Sequence, residues 1–198
     1  MQCLLCEMRI NKFTFKERLR MFELNYMTLA KYNKITNEFM NEIIKNLSED
    51  EWDRNLNGYF KSIHELCSHI YICDFNWLKR YKLLRNFNVL NKDIFETNYK
   101  FSETIFKSID EYLSMRAELD KIMIEFINEL REDDLDKNLK FTDSKGNKKE
   151  RKMEPLILHV FNHETHHRGM ISLYLEMMGK ENDFSSSLYQ MSLETCTF

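Results

Sequence analysis

His163-Glu164-Thr165-His166-His167 stands near the end of this chain, and His69 stands far earlier in another amphipathic segment. On a helix, His163 and His167 at i,i+4 share one face and lie about 6 Å apart along the axis, which is chelating geometry for a metal ion. The same string satisfies His-Glu-x-x-His, in which two histidines hold zinc and the glutamate serves as general base of a metallopeptidase. The bland alternative is a pair of histidines hydrogen-bonded within a helix contact or left in water.

Peptidase chemistry needs a third ligand, often a downstream His or Glu. No histidine follows His167, and Glu176 lies in the same predicted helix, too close in sequence for a separate element to return it across the site. Glu181 and Glu194 remain, but neither sits in a convincing helix or motif. His69 on a second helix offers a simpler third ligand across a helix contact. Three neutral imidazoles with water in an open position form a recognised catalytic zinc arrangement, and they suit nickel or iron as well. The expected cofactor is therefore a divalent metal ion whose identity the residues leave open.

The neighbouring residues divide between chemistry and packing. Glu164 is turned away from its neighbouring histidine by one helical step and pairs more naturally with Arg168 at i,i+4 than it serves as a base. His166 is offset by about a hundred degrees from His167 and belongs to another face. His159, one turn before His163, faces the same seam beyond the ligands, and His64 is expected to be exposed. Cys73 at i+4 from His69 is the cysteine that can line the pocket, with ordinary buried packing as its alternative. Gly169 is expected to admit a close helix contact or a nearby bulky side chain, since glycine otherwise costs about 1 kcal/mol in a helix interior.

The elements that must position these residues are helices. Gly 4 and Pro 1 in 198 residues leave too few punctuators for a sheet protein. With 43% hydrophobic and 31% charged residues, one substantial core in one domain is the prior, with the core over about 15–180 and an extension at 181–198. Apolar positions Leu19, Phe22, Tyr26, Leu29, Phe39, Ile43 and Leu47 recur at three and four over Phe15 to Leu47. A capping box at Ser48–Glu51 precedes the Asn-rich connection around Asn55 to Gly58. A second capping signal, Ser62 to Glu65, opens a stripe from Ile63 through Leu66, Ile70, Cys73, Trp77 and Tyr81 to Leu84. After a polar connection at Asn86 to Lys100, a third segment runs from Ile105 to Leu130. A long connection to Lys152, with Gly146-Asn147, then has room for a hairpin or a lid-like loop. Pro155 fits the first turn of a fourth helix, and Gly179 fits its C-cap.

Charge and targeting signals exclude other classes. A net charge of −3 supplies no large positive field for a phosphate backbone, so no nucleic-acid partner is expected. The first residues hold neither a signal core nor a membrane span, so a cytoplasmic protein without a membrane partner is expected. Five cysteines in an odd count read as reduced, and Cys3/Cys6 lacks a second pair at zinc-ribbon spacing.

Two stretches carry a specific resemblance. Ser62-Ile63-His64-Glu65-Leu66-Cys67-Ser68-His69-Ile70, followed by Asp74 to Leu78 with its tryptophan, and His159-Val160-Phe161-Asn162-His163-Glu164-Thr165-His166-His167-Arg168-Gly169-Met170-Ile171 resemble the DinB/YfiT-like superfamily, in its DNA-damage-inducible DinB branch. The likeness spans roughly residues 17 to 180. It implies an all-α four-helix bundle with an up-down-down-up course, often homodimeric, with a divalent metal held by one histidine of the second helix and a pair of the last. Carried onto this chain, those ligands are His69, His163 and His167. Relatives include thiol-dependent S-transferases and a maleylpyruvate isomerase that uses mycothiol. The implied function is activation of a low-molecular-weight thiol, as cosubstrate, for S-transfer to a small electrophile. The alternative is a non-catalytic metal-binding bundle that binds a ligand or a partner. The chain departs from the pattern in the residues past Gly179, the Cys3/Cys6 head, and Met170 where glutamine is familiar.

Overall fold

The computed structural model describes residues 15–184, with side-chain surroundings from residue 26 onward. The Cys3/Cys6 head, the Leu19 and Phe22 side chains, and all of the extension past Phe184 lie outside the described residues.

Four long helices carry the fold: α1 (Phe15–Ile44), α3 (Ile63–Tyr81), α4 (Ile109–Glu129) and α6 (Met153–Met177). Two single-turn helices, α2 (Glu49–Trp52) and α5 (Glu132–Leu135), sit in the connections. The capping box at Ser48 and Glu51 starts α2 as the sequence predicts, and Ser62 and Ser108 cap α3 and α4 through their hydroxyls. Pro155 lies in the first turn of α6, where its missing N–H costs nothing. At the other end Gly179 adopts φ 74°, and the Lys180 N–H closes back on the Leu175 carbonyl at 2.9 Å.

Side-chain pairs between helices give the directions. Asn37 with Asp120 and Asn41 with Tyr112 make α1 and α4 antiparallel. Asp74 with Arg116 and Tyr81 stacked on Phe126 make α3 and α4 parallel. His69 beside His163 and Tyr81 bonded to the Leu156 carbonyl make α3 and α6 antiparallel. Tyr26 with Glu154 and Asn33 with Arg168 make α1 and α6 parallel. The course is up-down-down-up, and among the described residues the fold is all-α apart from one hairpin. Its shared core includes Ile44, Ile63, Leu66, Phe75, Leu119, Phe126, Ile171 and Leu175, all buried.

The hairpin is the outcome of the long connection between the third and fourth long helices. Strands β1 (Asn138–Thr142) and β2 (Lys148–Lys152) pair antiparallel, from Asn138 opposite Lys152 to Thr142 opposite Lys148. Asp143 Oδ1 accepts from the Lys145 and Asn147 amides, and Gly146 takes φ 83° in the turn. Phe141 packs edge-on to Trp77, anchoring the hairpin on the end of α3.

Two expectations need correction here. The connection at Asn86 to Lys100 is more than polar chain: short 3-10 turns at Asn88–Asn91 and Asp93–Glu96 bury Val89, Leu90 and Phe95 in the core. The third long helix starts at Ile109, because Ser108 supplies the N-cap and Ile105 belongs to the approach, its N–H bonded to Ser68 Oγ.

Candidate metal centre

The antiparallel packing of α3 and α6 brings His69 opposite His163 and His167. Their donor atoms all lie within 4.8 Å of one another. His163 Nε2 is 3.3 Å from His69 Nε2 and 3.0 Å from His167 Nε2. The single lone pair or single proton on His163 Nε2 cannot serve both neighbours with good geometry. A cation between the three nitrogens satisfies all of them at once. For zinc–nitrogen bonds of 2.0–2.1 Å a tetrahedral N···N edge is about 3.3 Å, so the donor set fits a divalent ion.

Burial keeps the set neutral. It pushes His163 down to about 4, helped by the neighbouring His69 and His159, and pushes His167 down to about 3, helped by His163 and His69. His69 is lowered for the same reason, burial. Neutral imidazole is the form that binds metal.

A layer of buried charge fixes the rotation of α6. Glu164 and Arg168 pair at 2.8 Å, as their i,i+4 spacing predicts, and both are buried. Glu164 also meets Arg116 at 3.3 Å, and Arg116 meets Asp74 at 2.8 Å and Asp120 at 2.7 Å. Asn33 and Asn37 bond Arg168 from α1, and Asn37 bonds Asp120 as well. Burial works to raise Glu164, but Arg116, Asp74 and Arg168 hold it at about 2. Burial, with Glu164 nearby, raises Asp74 well above the ordinary carboxylate range, and burial raises Asp120 to about 7. Two guanidinium groups, Arg116 and Arg168, thus face three buried carboxyl groups. Glu164 is thus committed to this layer and turned away from the triad, which removes the general base that a peptidase requires. The motif reading found Glu164 and Arg168, and the family stretch included Asp74; Arg116 and Asp120, an i,i+4 pair on α4, were not singled out, although that spacing was a usable signal.

A loop covers the triad from the other side. The Phe60 ring centroid lies 4.6 Å from that of His69 and 5.5 Å from that of His167. Tyr174 Oη donates to the Phe60 carbonyl at 2.5 Å, tying the loop to α6. The same hydroxyl fills the space beside Gly58, where an added Cβ would meet it at 1.7 Å. Beside this loop opens a cavity of about 400 Å³ lined by Tyr59, Phe60, Glu65, His69, Phe101, Ser102, Glu103 and Thr104. Of the three histidines, His69 is the one on its wall.

The remaining residues fall as follows. Cys73 is 6% exposed, and its Sγ lies 3.6 Å from His69 Nε2. His159 is exposed on the seam edge, between Trp77 and His163. His166 is exposed on another face of α6, its ring 4.9 Å from that of His167. His64 departs from its expected exposure: it stacks on Trp52 at 4.9 Å and bonds Asp53 at 2.8 Å, because α2 folds over the start of α3. Gly169 departs too, since an added Cβ there would meet nothing within 4 Å.

Comparison with known proteins agrees with this architecture. The profile of the DinB family matches residues 21–191. The protein named Protein DinB from Bacillus subtilis (strain 168) is 26% identical over 153 residues, covering 76% of this chain and 84% of that relative. No solved structure matches the chain significantly. The chain belongs to the DinB family.

Proposed function

For this member of the DinB family we propose that His69, His163 and His167 hold a divalent metal ion, and that the protein activates a low-molecular-weight thiol for transfer to a small electrophile. The observation that carries this reading is the convergence of three imidazole nitrogens, held neutral by burial, one of them, His69, on the wall of a cavity of about 400 Å³. When bound, the ion supplies Lewis-acid stabilisation of a thiolate at neutral pH.

The residues of the chain do the rest. The Glu164–Arg168 pair holds the inward stripe of α6 against α1 and α4, which leaves the His163/His167 stripe facing α3. Phe60 closes one side of the triad with an apolar ring, which limits water around a nascent thiolate. Substrates enter beside His69, between the aromatic rings of Tyr59, Phe60 and Phe101 and the polar side chains of Glu65, Ser102, Glu103 and Thr104.

No helix among the described residues is long and apolar enough to cross a membrane. We propose a cytoplasmic homodimer acting on small molecules, with exposed Leu158, Leu173 and Met177 on α6 as apolar surface for the second copy.

The test is transfer of a small thiol to a chromogenic aryl halide by metal-reconstituted protein. Metal-dependent product formation that disappears in His163→Ala and in His167→Ala supports the reading. Equal rates in parent and variants contradict it.

A further inference from the structure

We propose that a second cavity, separate from the histidine triad, binds a basic amino acid by its carboxylate and its side-chain ammonium. The cavity measures about 380 Å³ and lies between α1 and α6, with Asn182, Asp183 and Phe184 on a third side. It shares no lining residue with the cavity beside His69. Its volume admits one small molecule.

Arg168 is the seat for the carboxylate. It is 2% exposed, yet it stands on the cavity wall. Its Nη1 is spent on Glu164, Asn33 and Asn37 in the charged layer. Nη2 reaches the Thr165 hydroxyl at 3.3 Å, and Nε has no hydrogen-bond partner among the described residues. Nε and Nη2 form the guanidinium edge whose two parallel N–H groups grip a carboxylate bidentately. Thr36 lines the same wall from α1, 1% exposed, and its hydroxyl makes no hydrogen bond. A threonine on a helix divides between two χ1 wells, so rotation offers this hydroxyl to the same carboxylate.

The other end of the cavity is acidic. Glu176 is exposed there, and among the described residues no ion pair or hydrogen bond holds its carboxylate. Arg168 and Glu176 stand about 12 Å apart along the axis of α6. With each ligand charge about 3 Å from its partner, the ligand's own two charges are about 6 Å apart. That is the reach from the carboxylate of lysine or ornithine to its side-chain ammonium, and glycine is too short for it. Ser172 lies between the two ends; its hydroxyl donates to Asn182 Oδ1 at 2.6 Å and keeps lone pairs for the α-ammonium. Gly169 leaves the space open, since an added Cβ on that wall meets nothing within 4 Å.

Isothermal titration of the metal-free full-length protein with L-lysine and with L-ornithine tests the assignment. Norleucine, which lacks the side-chain ammonium, and cadaverine, which lacks the carboxylate, serve as comparisons. At least one of the two amino acids is expected to bind once per chain, and both analogues at least roughly tenfold more weakly, since each forfeits a charge-assisted contact. Thr36→Val and Glu176→Gln are expected to weaken binding roughly tenfold for the same reason. Gly169→Leu, with its fold verified by circular dichroism, is expected to abolish binding by filling the space. His163→Ala is expected to bind as the parent does, because the triad takes no part. No heat from either amino acid overturns the proposal, as does binding that survives Gly169→Leu or is lost in His163→Ala. An analogue that binds as tightly as the amino acids overturns it too.

Discussion

Glu164 and Arg168 pair at 2.8 Å inside the bundle, one turn apart on α6. Because a helix advances about 100° per residue, this inward pair turns the adjoining His163/His167 pair toward α3. The charged layer and the histidine triad are two stripes of one helix, and the first sets the orientation of the second.

Removing Arg116 leaves Asp74, Asp120 and Glu164 buried around an empty space. Arg116→Met is expected to cost about 3–5 kcal/mol, the usual loss when one member of a buried ionic group is deleted. Urea unfolding followed by circular dichroism measures it. An unchanged midpoint contradicts the role given to this layer.

The contact of Gly58 with Tyr174 makes a coupled pair. Gly58→Ala is expected to destabilise by about 1–3 kcal/mol, because its Cβ collides with the Tyr174 hydroxyl. Tyr174→Phe alone is expected to lose about 1 kcal/mol with the hydrogen bond to the Phe60 carbonyl. In the double variant part of the Gly58→Ala penalty disappears, since the colliding oxygen is gone while the ring carbon that bore it still lies 2.9 Å from the added Cβ. Strict additivity in the double-mutant cycle contradicts the geometry.

Gly169 points the other way. It is exposed within α6 and an added Cβ meets nothing within 4 Å. Gly169→Ala is expected to stabilise by up to about 1 kcal/mol through helix propensity and reduced freedom of the unfolded chain. A lower thermal midpoint contradicts an open position.

Protonation of the triad is readable in the metal-free protein. His167 has its ordinary value of 6.5 when unfolded and about 3 when folded, because burial disfavours its charge. Between those values the unfolded chain binds a proton that the folded protein refuses, so stability rises with pH across this window. The contribution of His167 is fully present above about 6.5 and is lost as pH falls toward about 3. The stability of the parent relative to His167→Gln is expected to decline steadily as pH is lowered from neutrality. A difference that stays flat or grows contradicts a neutral buried imidazole.

Much of this was legible in the chain itself. Periodic apolar residues, serine caps, Pro155 and Gly179 mark the four long helices, and the i,i+4 spacing of His163 and His167 marks the donor face. His69 was legible as a partner because its helix stripe and order in the chain match the family pattern. The rest depends on tertiary proximity. Arg116 and Asp120 stand at the legible i,i+4 spacing on α4, but that this pair is buried and joined to Asp74 and Glu164 follows only when α3 and α4 meet α6. Phe60 and Tyr174 are separated by most of the chain, so the loop that covers the triad has no local signal. Gly169 misled because glycine marks freedom without saying whether anything occupies the space beside it. His64 misled because the side chain that covers it, Trp52, belongs to a short helix before α3.

The most direct measurement is metal content by mass spectrometry of tag-free protein, beside a His163→Ala/His167→Ala variant whose fold is verified by circular dichroism. Near-stoichiometric metal in the parent and its loss in the folded variant are expected. A parent that stays metal-free after reconstitution with zinc, nickel, iron and manganese contradicts the metal centre and the thiol chemistry proposed for it.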